Sequence, residues 1–168
     1  MAISMYRASI PVFVQFLTNL SAILGKAAQH AEAKKIDPSV FTTGRLSPDM
    51  FPLTRQVQIA CDSAKGVAAR LSGSEVPSFP DTETSFPELQ ARIAKTLEYI
   101  QSVEPASIEG SDDKTITLKA GQRELTFTGE AYLTTFALPN FYFHITATYA
   151  ILRHMGVELG KLDYLGGK

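Results

Sequence analysis

One cysteine, Cys61, stands in the whole chain of 168 residues. It allows no intrachain disulfide and no cysteine-rich metal site, and such sparing use fits a reducing compartment. A basic surplus is missing too. Lys and Arg number 16 against 17 Asp and Glu, a formal net charge of -1. Beyond Lys34-Lys35 there is no run of basic residues, so the electrostatic footprint of a nucleic-acid binder is absent. Ile10 to Leu24 is largely apolar but is broken by Gln15, Thr18, Asn19 and Ser21. It reads neither as a signal peptide nor as a membrane span. No G-x-S-x-G, phosphate-binding glycine loop, H-E-x-x-H or C-x-x-C occurs, and neither Ser47 nor Cys61 has a base adjacent in sequence. The expectation is a soluble cytoplasmic protein with no nucleic acid and no membrane as partner. Its length suits one domain, residues 1–168, around one core.

What is present is helical periodicity. Ile10, Phe13, Leu17, Leu20, Leu24, Ala27 and Ala31 recur at spacings of three and four, which predicts an amphipathic helix over about 9–34 with Pro11 in its first turn and Ser9 or a nearby residue as cap. His30 falls late in it, as a surface residue near the helix C-terminus. Residues 36–52 hold Pro38, Gly44, Pro48 and Pro52 and read as a stiff loop in which Arg45 and Asp49 are placed to pair. Leu53, Val57, Ala60, Ala64, Val67 and Leu71 predict a second helix from Phe51 or Pro52 to Leu71, stopped by Gly73, with Cys61 as a small buried residue beside the stripe. Ser85-Phe86-Pro87-Glu88 is a capping-box signature for a third helix over 86–103.

The period then changes. Residues 115–119 and 122–127 alternate around Ala120-Gly121, as a β-hairpin does, with Ile116, Leu118, Leu125 and Phe127 leaning on the bundle. A short helical turn is expected within 130–138. Pro139 or Asn140 opens a fourth helix that runs apolar and aromatic to Met155, stops at Gly156, and is too apolar for a surface position. The glycine-rich tail after it is expected to pack back. Four amphipathic helices bury their stripes best as a bundle.

Several stretches carry a family resemblance: Arg45 to Gln58, Ala69 to Gly73, Thr84 to Leu89, Leu138 to His144, and Gly156 to Gly166. On these the chain resembles the DUF1993 family, a branch of the DinB/YfiT-like four-helix-bundle superfamily. The resemblance implies a mainly α, DinB-like four-helix bundle with a small β-hairpin inserted between helices three and four. The wider superfamily often holds Zn or Ni through one histidine of the second helix and two, four residues apart, of the fourth. Some members transfer groups on low-molecular-weight thiols, and many are dimers. Here His144 matches the first histidine of the fourth-helix pair. Thr148 stands at the second position, and the second helix offers only Gln56 and Gln58.

Spacing alone points to the same helix. Asn140, His144 and Thr148 lie one above another on one face, a polar stripe on an apolar helix that must find partners. Gln56, Asp49 and Arg55 are the candidates to meet it. His154 lies roughly 15 Å further along the axis and cannot share a ligand with His144. The site expected is a small-molecule pocket of Gln56, Asn140, His144, Thr148, Asp49 and Arg55, or a satisfied core histidine. No cofactor and no metal is expected, because one imidazole with neutral oxygens is a poor set for Zn or Ni; a carboxylate such as Asp49 or Asp62 would have to join. The leading reading is a binding protein, self-associating as a homodimer or not. The alternative is a thiol-dependent transferase or isomerase with His144 as catalytic acid or base.

Overall fold

The computed structural model describes residues 4–167. Met1 to Ile3 of the mixed N-terminal stretch and Lys168 of the tail lie outside the described residues. The long helices are α1 (Met5–Lys34), α3 (Leu53–Ser72), α4 (Phe86–Ser102) and α7 (Leu138–His154). They form a bundle in which α3 packs on α4 and α7, and α1 packs on α4, α3 and α7. Short helices fill the connections: α2 (Pro38–Thr42), α5 (Pro105–Ile108), α6 (Gly129–Ala131) and α8 (Lys161–Leu165). A hairpin of β1 (Thr115–Ala120) and β2 (Arg123–Thr128) precedes α6.

α1 begins a turn before the expected start. Ser4 caps it by accepting from the Arg7 amide at 3.3 Å, and Ser9 is buried inside, donating to the Met5 carbonyl at 2.7 Å. Pro11 therefore sits in the helix interior and removes one ladder bond. Burial repays that loss, because Met5, Tyr6 and Ala8 pack against the core. By length and composition α1 could cross a membrane; in the fold its apolar stripe, from Ile10 to Ala31, is enclosed by the other helices. His30 is half-buried, edge-on to Phe41 with ring centroids 5.9 Å apart.

The 36–52 connection is not all loop. Asp37 caps α2, with Pro38 in its first turn and Phe41 inserted into the core. Arg45 and Asp49 do not pair. Arg45 donates to the carbonyls of Pro48 and Met50, and Asp49 accepts from the Ser47 hydroxyl at 2.5 Å. Both side chains are closer to local partners than to each other.

The most enclosed element is α3, not the more apolar α7. Of its 20 residues, 13 are buried, because it is covered from several sides. Small Ala60, Ala64, Ala68 and Ala69 let its neighbours approach. Gly73 ends it with φ 84°, a left-handed geometry that suits glycine. Cys61 is fully buried in α3, and burial pushes its thiol up to about 12, which removes it as a nucleophile.

α4 carries the expected capping box. Glu88 donates its amide to Ser85 Oγ, and its carboxylate accepts from the Ser85 and Thr84 amides at 3.0 and 2.7 Å. These bonds hold the Glu88 carboxyl below its ordinary range. Ser85→Ala is expected to lower stability by about 1 kcal/mol in urea unfolding; an unchanged midpoint would show that the cap is idle.

In the hairpin, Ala120 pairs with Arg123, so the turn is Gly121-Gln122 rather than Ala120-Gly121. Ile116 is buried, and Leu118 and Phe127 lean on the core; Leu125 is half-buried. A π-helical turn over Tyr132–Ala137 then joins α6 to α7 in one rod. Its cause is Pro139, which has no amide to donate to Thr135. Leu138 donates five residues back to Leu133, and the hydroxyls of Thr134 and Thr135 donate to the carbonyls of Glu130 and Ala131 at 2.8 and 2.6 Å, widening the turn. Pro139 is thus a joint within a helix rather than its opening. The tail folds back as expected: Asn19 and Gln15 donate to the carbonyls of Tyr164 and Leu165, and Lys26 pairs with Asp163 at 2.6 Å.

Candidate functional site

α3 and α7 run antiparallel, with Gln56 opposite His144 and Ser63 opposite Asn140. Gln56 lies in the first turn of α3 and its Nε2 donates to the Phe51 carbonyl at 3.0 Å. That bond turns Oε1 toward His144, 2.7 Å from Nδ1. An amide oxygen only accepts, so the proton sits on Nδ1 and the lone pair on Nε2. Among the described residues, the fully enclosed polar side-chain atoms without a partner are Arg92 Nε and Ser111 Oγ. His144 Nε2 is not one of them and has no protein partner there, so it is not fully enclosed. The residue as a whole is 7% exposed. Burial, and secondly the nearby Arg55 charge, pull its pKa down to about 4. At neutral pH it is a neutral acceptor in a fixed tautomer.

The other expected residues divide. Thr148 is buried under His144 but its hydroxyl donates to the His144 carbonyl at 3.0 Å, inside the helix. Arg55 lies beside the pair, bound to Asp81 and to Gln58 Oε1 and 5.9 Å from the Phe51 ring centroid. Phe51 and Phe143, which flank Gln56 and His144 in the chain, are exposed by 55% and 57%. Asn140 faces elsewhere, donating to Ser63 Oγ at 2.9 Å at a cleft that His144 does not line. Asp49 is exposed and occupied by Ser47. The pocket expected from spacing is therefore a pair, Gln56–His144, with Arg55 and two aromatic rings at its rim.

A charged cluster went unread in the sequence. Arg92, on α4, is bound at 3.0 to 3.1 Å by Asp62, Asp81 and Glu83, and Asp62 also holds Lys65 at 2.9 Å. Gln58 Nε2 donates to Glu83 at 2.9 Å. Burial alone would pull the Arg92 guanidinium down, but the Glu83 hydrogen bond and the Asp62 and Glu83 charges hold it above its ordinary value. Phe79 is covered by the ammonium groups of Lys65 and Lys95, each 4.2 Å from its centroid. The cluster pins the 74–85 connection to α3 and α4. Its signal was Arg92 itself, a charge beside Leu89 and Ile93 on the buried stripe of α4.

A divalent metal does not fit the Gln56–His144 place. Its donors are one imidazole already engaged at Nδ1, an amide and a hydroxyl turned to the backbone, with no carboxylate among them. Asp49 is taken up by the Ser47 hydroxyl, and Asp62 lines the separate cleft beside Asn140, which His144 does not line. No group of three His, Cys, Asp or Glu placed to hold a metal occurs among the described residues.

With this geometry in hand, the comparisons decide the relationship. A family model described as a domain of unknown function, DUF1993, matches residues 5–165. The chain belongs to the DUF1993 family. The crystal structure of a DinB family member protein from Shewanella denitrificans is similar at 43% identity, with a TM-score of 0.87, over 97% of this chain and 92% of that one. That likeness supports the DinB-like bundle expected for the superfamily. No curated protein matches the chain. Within this DUF1993 chain, Gln56 of α3 meets His144 of α7, and Thr148 stands one turn further along α7.

Proposed function

We propose that this chain is a small-molecule-binding bundle rather than a catalyst, and that its recognition point is the outward lone pair of His144 Nε2. The observation that carries this is the Gln56–His144 bond, which fixes the ring as an acceptor. A fitting ligand offers one N–H or O–H donor to Nε2 next to an aromatic or aliphatic body that rests on Phe51 and Phe143. Catalysis by the same ring is the weaker reading. A base with a pKa of about 4 taking a proton from a thiol near pKa 8.5 faces a step about 6 kcal/mol uphill. That argues against thiol-dependent transfer or isomerisation through His144. Self-association is the second reading, favoured by the exposure of Phe51 and Phe143; a molar mass of one chain by light scattering would remove it.

The test is nitrogen-15 NMR of the histidine rings. The free protein is expected to show His144 as the Nδ1–H tautomer at neutral pH. Phenol and indole are expected to shift its Nε2 saturably, while anisole and N-methylindole, which lack the donor, do not. An Nε2–H tautomer, or equal shifts from both pairs, would defeat the reading.

A further inference from the structure

A second site lies where the π-helical turn crosses α3. Asp62, Gly66 and Arg70 recur at intervals of four and share one face of α3. Gly66 is a poor residue for a helix interior, by about 1 kcal/mol against Ala, and it has a local reason. A Cβ at position 66 would overlap Nη1 of Arg70 and come within 3.7 Å of the Tyr132 hydroxyl. The missing side chain lets the Arg70 guanidinium fold back along α3, where Nη1 donates to Tyr132 Oη at 3.0 Å and the guanidinium carbon stands 5.8 Å from the Tyr132 ring.

Three arginines of the described chain are not exposed: Arg55, Arg70 and Arg92. Arg55 and Arg92 are both bound by carboxylates. Arg70 is held only by a phenol, with no carboxylate partner among the described residues. It lines a cleft of about 150 Å³ together with Tyr132, Asn140, Ser63, Asp62 and Phe136. A guanidinium held only by a phenol keeps N–H donors in the fork geometry that matches a carboxylate. At the other end Asp62 uses Oδ1 for Arg92 and Lys65, and Oδ2 has no partner among the described residues.

We propose that this cleft binds a small carboxylate carrying a hydroxyl or amino group on the adjacent carbon, its carboxylate on Arg70 and its donor toward Asp62 Oδ2 and the Ser63–Asn140 pair. The cleft, of about 150 Å³, has room for several waters and so for a small molecule. The site is independent of the reading of His144.

Lactate and L-alanine are the probes, with lactamide and alaninamide as controls that lack the carboxylate. The side-chain N–H resonances of Arg70 and Asn140 are expected to move saturably with the acids and to stay still with the amides. Arg70→Gln should weaken binding about tenfold or more, the loss of a charge-assisted hydrogen bond. Gly66→Ala should also weaken it, by displacing the guanidinium, and its gain in helix propensity keeps that variant folded if Arg70→Gln is not. No saturation with either acid in the millimolar range, or equal shifts from acids and amides, overturns the proposal. So does unchanged binding by Gly66→Ala.

Discussion

Acidification from pH 7 to pH 4 is expected to remove about 3 kcal/mol of folding stability through His144 alone, given a folded pKa of about 4 against 6.5 unfolded. Above pH 6.5 the ring is neutral in both states and contributes no slope. As the pH falls below 6.5 the unfolded chain takes up a proton that the folded chain refuses until about pH 4. Stability is therefore complete above the unfolded value and declines through the window between the two. Burial sets most of the shift and the Arg55 charge adds to it; the neutral Gln56 amide cannot offset either as a carboxylate would. The measurement is urea unfolding of the parent chain and of His144→Gln across that window. The variant cancels the contributions of every other titrating group, so the difference between the two curves isolates His144. Parallel curves would mean that the ring titrates normally in the fold. Gln56→Glu supplies the opposite sign: a carboxylate against Nδ1 should raise the pKa of His144 and flatten the acid decline.

The second large effect belongs to Arg92. Its side chain is 1% exposed and faces Asp62, Asp81 and Glu83, whose side chains are 38%, 38% and 12% exposed. Arg92→Leu removes the cation shared by three acids; Asp62 keeps Lys65 and Asp81 keeps Arg55, so Glu83 is left the most stranded of them. Breaking a buried pair costs 3–5 kcal/mol as a rule, and two of these carboxylates can regain water, so a loss of about 3 kcal/mol is expected. Urea unfolding measures it. Amide exchange should rise along the 74–85 connection, which the cluster pins against α3 and α4. Arg92→Lys keeps the charge but not the fork that reaches several carboxylates at once, and should fall between the two. A loss below about 1 kcal/mol for Arg92→Leu would mean that the cluster is a surface network in effect.

The helices were legible because their information is local. The stripes at 10–31, 53–71 and 89–100 repeat at helical spacing, and Ser85 with Glu88, and Gly73, mark ends by chemistry confined to one turn. The hairpin was legible for the same reason, to within one residue at its turn. Where boundaries moved, a distant contact moved them. Met5 and Tyr6 extend α1 because they pack on the core, Phe41 is drawn in and makes α2 a helix, and Pro139 becomes a joint because Tyr132 and Leu133 are buried and carry the rod backward from it.

The candidate site was half legible. The polar stripe of Asn140, His144 and Thr148 could be read from spacing, and Gln56 could be named as a partner. Which of them meet could not. Antiparallel packing places Gln56 on His144 but Ser63 on Asn140, so two residues one turn apart on α7 serve different places. Asp49 and Thr148 were drawn away by nearer partners, the Ser47 hydroxyl and the His144 carbonyl.

What this sequence determined by itself is the membership of the chain in its family, the bundle and the hairpin, because periodicity, capping and turn chemistry act over a few residues. The tertiary structure alone decided the pairing of Gln56 with His144 and the burial of that ring, the Arg92 cluster and the Arg70–Tyr132 contact. Each of these depends on which charges and hydrogen-bond partners lie within about 3 Å across helices, and on how much water burial removes. Neither quantity is written in the order of the residues.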